Sequence, residues 1–162
     1  MVRNTWLLVA ILACGPSAEL RRARTARYQT ERAVVLAAVG EVMAAHYPGV
    51  ALTPMPFEAS YFISGWWWVD GEQPISPDRL FARDPPVGSF IRMHVAVSAA
   101  SPFAVDVFAE VERYEHGWVT PMTYSPGSAE KQMRKRPAWV QDRIDDLDVA
   151  IDRALRKYAP MR

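Results

Sequence analysis

The order of hydropathy patterns predicts a two-layer α+β sandwich, in which an antiparallel sheet of three to four strands carries an N-terminal and a C-terminal helix on one face. Three observations predict it. Val35, Val39, Val42, Met43 and His46 recur at helical spacing near the start of the chain. Two runs of alternation fill the middle, Ile91, Met93, Val95 and Val97, then Phe103, Val105, Val107, Ala109 and Val111. Val140, Ile144, Leu147, Ile151, Leu155 and Tyr158 form one helical stripe at the end. Elements apolar on one side bury that side against each other, which gives two layers.

Taken in order, the first helix is expected over Thr30–Tyr47, with Thr30 as N-cap, Glu31 in the first turn and Pro48-Gly49 ending it. Tyr61 to Val69 is rich in strand formers and closes on the turn pair Asp70-Gly71. The segment 70–89 holds Pro74, Pro77, Pro85 and Pro86 and reads as a long loop. The two alternating runs flank Ala99-Ala100-Ser101-Pro102 and form a hairpin with one buried and one wetter face. Trp118 to Tyr124 supplies a short further strand, and 125–136 is polar and basic. Pro137 then opens the last helix, with its aspartates early and its basic residues late, as the helix dipole favours.

The 162 residues suit one domain, and a half-hydrophobic composition excludes the disordered class. Nineteen basic against 18 acidic residues leave a formal charge of +1, too little for general nucleic-acid binding. Cys14 is the one cysteine, so no internal disulfide forms, and a lone cysteine in an exported chain calls for another use.

Its position suggests that use. Arg3 precedes the apolar run Trp6–Leu12, and small Ala13 comes before Cys14, the tripartite pattern of a signal peptide. The run is too short to span a bilayer, which needs about 20 apolar residues. Ile11-Leu12-Ala13-Cys14 resembles the lipobox of bacterial lipoproteins. The resemblance covers about fifteen residues. It implies that the Cys14 thiol takes a diacylglycerol and that cleavage makes Cys14 the new N-terminus. It divides the chain into a signal peptide (1–13), a lipidated cysteine with a basic tether (14–29) and a single α+β domain (30–162). Gly15 after the cysteine, where Asp would favour inner-membrane retention, points to the outer membrane, facing the periplasm. By element order the mature domain is loosely similar to small periplasmic lipoproteins that assist outer-membrane assembly.

Arg21, Arg22, Arg24 and Arg27 would lie beside the membrane, either attracted to anionic headgroups or on a solvated helix or tether. In Trp66-Trp67-Trp68, side chains alternate between faces, which places Phe62, Trp66 and Trp68 together, opposite Tyr61, Ile63, Trp67 and Val69. That aromatic set is either a binding face or a second minor core beneath the 70–89 loop. His94 on the wetter hairpin face, with Asp106 across from it and Ser98 nearby, is the one arrangement that suggests catalysis; ordinary cross-strand polar pairs are far commoner and account for it. Asp142, Asp145, Asp146 and Asp148 match no EF-hand spacing, and Glu110, Glu112 and Glu115 lack a second positioned carboxylate. His46, His94 and His116 fall in no metal motif, so neither metal nor cofactor is expected.

The expectation for function is a membrane-tethered, non-enzymatic binding or assembly module of the cell envelope, meeting a protein, glycan or lipid partner. The alternatives are a small envelope hydrolase using His94 and Asp106, and a structural spacer acting through its tether.

Overall fold

The computed structural model describes residues 17–47, 49, 51–54, 60–80, 86–115, 118–124 and 137–160. Its elements are α1 (Ala18–Thr25), α2 (Arg32–His46), β1 (Ala51–Pro54), β2 (Ser60–Ile63), β3 (Trp66–Trp68), β4 (Gln73–Ile75), α3 (Pro77–Leu80), β5 (Gly88–Val97), β6 (Val105–Glu115), β7 (Trp118–Tyr124) and α4 (Ala138–Leu155), closed by a 3-10 turn at Arg156–Tyr158. The α+β class and its two flanking helices are as the sequence predicts. The sheet is larger, with seven strands among the described residues, all joined antiparallel.

The hairpin β5–β6 is the spine. Ile91, Met93, Val95 and Val97 pair with Val111, Ala109, Val107 and Val105, so the two alternating runs place their apolar residues on one face. Val35, Val39 and Met43 of α2 and Val140, Ile144, Leu147, Ile151 and Leu155 of α4 close on that face, forming the main core. Each such side chain removed from water contributes about 1.5–3 kcal/mol. Helix α2 starts at Arg32 after Glu31, and no side chain caps it; Thr30 stands one residue too early.

The other edge of β5 is shared by β2 and β3. Ile63 pairs with His94 and Trp67 with Ile91, so four steps on one strand face three on the other. The extra residue is a bulge at Ser64-Gly65. There Ser64 N donates to Met93 O (2.9 Å) and Met93 N donates to Ser64 Oγ (2.9 Å). A one-residue bulge inverts facing on its far side. Phe62 therefore lies on the helix side, 4% exposed within the main core. This corrects its grouping with Trp66 and Trp68, which assumed an unbroken strand.

Trp66 and Trp68 do share the face opposite the helices, and there they meet a second core. Trp66, Ile75, Leu80, Phe90 and Tyr114 are buried together, with Trp68 packed alongside. The segment expected as a structureless loop supplies the cover through β4 and α3, with Leu80 fully buried. Gly71 lies flat against the Trp68 indole, so close that any side chain at 71 would collide with the ring.

Candidate functional site

The wetter half of the hairpin face carries the most organised polar cluster. Here β5 and β2 place His94 beside Tyr61, and β6 stacks Phe108 on His94, with ring centroids 4.9 Å apart and planes at 13°. Tyr61 OH lies 2.8 Å from His94 Nδ1, and His94 Nε2 lies 3.2 Å from Glu110 Oε2. One tautomer satisfies both contacts: the phenol donates to Nδ1 and Nε2–H donates to the carboxylate. Arg92, directly opposite Glu110, donates from Nε to Oε2 at 2.6 Å and stacks its guanidinium on Trp66, 4.8 Å from the ring centroid.

The electrostatics follow from that packing. Burial, then the Arg92 charge, hold His94 below the usual histidine range against the opposing pull of Glu110. Burial pushes the Tyr61 phenol up to about 12. The result is an imidazole with both nitrogens occupied, a carboxylate gripped by arginine, and two half-buried aromatics, Tyr61 and Phe108. The cluster fixes an aromatic patch in place; its groups spend their hydrogen bonds on each other.

The expected partner of His94 is therefore replaced. Asp106 pairs with Ala96 and is exposed. His94 stands opposite Phe108, so Asp106 and Glu110 are its two diagonal neighbours, and Glu110, steered by Arg92, makes the contact. The Ser98 hydroxyl accepts from Ala104 N at 2.8 Å and shapes the hairpin link. The His94 ring nitrogens meet Tyr61 and Glu110 in place of Asp106 and Ser98.

The basic run is the second correction. Ala18–Thr25 is a helix, with Ser17 as its N-cap, so the fold starts well before residue 30. Arg22 donates to the fully buried Asp152 (Nη2 2.6 Å, Nε 3.0 Å), and Tyr28 OH donates to the same carboxylate at 3.4 Å. Arg24 reaches Asp145 at 2.6 Å and Asp148 at 3.9 Å. Arg153 and Arg156 converge on Glu19 (2.9 and 2.8 Å), and they hold its carboxyl down at about 2. Backbone bonds from Tyr28 to Phe103 and from Gln29 to Tyr158 fasten the following residues. Arg27 donates to Ala26 O. The basic stretch from Ser17 is thus clamped to α4.

Asp152 is the residue that sequence reasoning missed. Its signal is its position three before Leu155 and beside Ile151, on the edge of the buried stripe, where an acid needs a cation. Cys14, His116 and the whole of 125–136 fall outside the described residues, as does the Glu115 side chain. Among the described residues no group of three His, Cys, Asp or Glu side chains is placed to hold a metal ion, and no helix is long and apolar enough to cross a membrane. No protein family, curated protein or solved structure matches the chain.

Proposed function

We propose that this chain is a lipid-anchored envelope protein, tethered through Cys14 to the outer membrane, whose domain is a non-enzymatic binding or assembly module. One observation carries the binding reading: the Tyr61–His94–Phe108 patch. It lies on the sheet face away from α1, α2 and α4, is partly open, and is held rigid by an internally satisfied polar network. Pre-ordered aromatics of this kind favour contact with a partner because little side-chain entropy is lost on binding. The patch takes the place of the Trp66–Trp68 face, which the second core occupies. The lipobox motif and a basic helix capped at Ser17, close to Cys14 in the chain, support the anchor, since they would hold the domain near the bilayer.

The test joins both parts. The wild-type chain is expected in the membrane fraction with acyl chains on Cys14, and Cys14→Ser is expected to leave it. A photo-crosslinking residue at Phe108 in the anchored chain is expected to capture an envelope partner, while the same residue at exposed Asp142 captures none. Identical fractionation of the two chains removes the anchor; equal capture at 108 and 142 removes the binding face.

A further inference from the structure

A groove of about 590 Å³ runs between α1 and the end of the chain. Ala26, Ala159 and Pro160 give it an apolar floor, and Arg21, Arg22 and Arg27 border it together with Thr25. Of the three arginines among the described residues that line it, Arg22 is committed to Asp152 and Glu19, which leaves Arg21 and Arg27 as its cationic border. Its size falls within the roughly 300–1,000 Å³ typical of small-molecule sites. Apolar floor and cationic border together fit an amphiphile with an anionic head.

Position selects the amphiphile. Cys14 to Ser17 reaches at most ~10 Å even fully extended, and α1, eight residues long, adds ~12 Å. The Arg22–Asp152 pair and the Glu19 cluster fix α1 to α4, so the groove cannot drift away from the anchor by unravelling of the basic run. With acyl chains on Cys14, the groove is held within roughly 20 Å of the anchor in the same bilayer. Guanidiniums bind phosphate oxygens in paired, charge-assisted hydrogen bonds, and cations next to an anionic membrane gain attraction from its surface potential.

We propose that this groove holds one anionic phospholipid of the anchoring membrane, its phosphate at the Arg21 and Arg27 border and its glycerol and upper acyl carbons over Ala26, Ala159 and Pro160. The proposal rests on the anchored reading above. A lipid in this groove would orient the tethered domain, turning a short leash into a two-point attachment.

Native mass spectrometry of the full chain, extracted from its membrane in detergent, tests it. With phosphatidylglycerol supplied, the wild-type chain is expected to retain one molecule; with phosphatidylcholine or inorganic phosphate it is expected to retain none. Two variants change different properties at exposed residues: Arg21→Glu with Arg27→Glu reverses charge, and Thr25→Trp fills the groove while leaving charge alone. Each is expected to weaken phosphatidylglycerol retention about tenfold or more, with circular dichroism unchanged. Equal retention of the two phospholipids, or wild-type retention by Thr25→Trp, overturns the groove as the site. The same spectra report the mass at Cys14. An unacylated chain that still retains phosphatidylglycerol removes the anchor and keeps the groove; an acylated chain that retains none does the reverse.

Discussion

Asp148 shows how one residue's environment decides its chemistry. Its sequence neighbours Asp142 and Asp146 are exposed, and Asp145 binds Arg24 and Gln141. Asp148 has only 11% of its side chain exposed, and its carboxyl is pushed up to about 7, by burial first, with Asp145 and Asp106 reinforcing and Arg24 opposing. Because the folded value lies above the unfolded 3.8, the stabilising contribution is complete below 3.8 and is lost as pH rises through about 7. Asp148→Asn keeps the shape and cannot ionise. It is expected to match the wild type under acid conditions and to gain on the order of 2 kcal/mol at about pH 8, read as a pH-dependent rise in thermal midpoint. A loss of stability at about pH 8 would mean that the Arg24 contact outweighs burial. The sequence shows four aspartates near the start of a helix, which explains their type but not their separate fates. Angular position does: Asp148 stands beside Leu147 and four after Ile144, at the stripe's edge, whereas Asp142 and Asp146 project outward.

At the scale of elements, regular periods were legible and a one-residue irregularity was not. The β5–β6 hairpin and the α4 stripe repeat their signal over ten or more residues, so each reads directly from alternation or helical spacing. The β2–β3 bulge is a single event inside an aromatic run, and its trace in sequence is Gly65, since a glycine within a strand often marks a bulge. Missing it moved Phe62 to the wrong face. The structural price of the bulge is a gap in the ladder that Ser64 Oγ fills by accepting from Met93 N, while its own proton goes to Gly65 O at 2.8 Å. Ser64 is 4% exposed, so water cannot readily take its place. Ser64→Ala is expected to strand the Met93 N–H and to lower unfolding stability by about 1–3 kcal/mol in denaturant titration. A variant within about 0.5 kcal/mol of the wild type would show that β2 and β3 hold register without that hydroxyl. Helix α1 was missed for a related reason. An eight-residue segment with three arginines has little apolar signal, and its stability comes from Leu20, Ala23 and ion pairs with residues about 120 or more positions away.

The whole molecule is a sheet buried on both faces over part of its area, with the large helical core on one side and the Trp66 core on the other. The two cores share β5 and β6: Phe90 and Tyr114 belong to the small core, Ile91 and Val111 to the large one. This arrangement leaves the His94–Phe108 patch as the part of the outer face that no described helix covers, which is why the candidate binding surface lies beside the tryptophans and not on them. The prediction for Trp66 changes accordingly. As a contact residue, it could be truncated at no cost to stability. As the buried centre of the second core, 3% exposed beneath the Arg92 guanidinium and packed with Phe90 and Leu80, its loss opens a cavity that the short β4–α3 cover cannot refill. Trp66→Ala is expected to cost about 3–5 kcal/mol. Hydrogen exchange should localise the first damage: amides of 70–80 lose protection before those of α2 and α4, because the large core retains its own packing. Full stability with undiminished protection at 70–80 would return Trp66 to the surface; uniform loss across α2, α4 and the sheet would show that the two cores unfold as one unit.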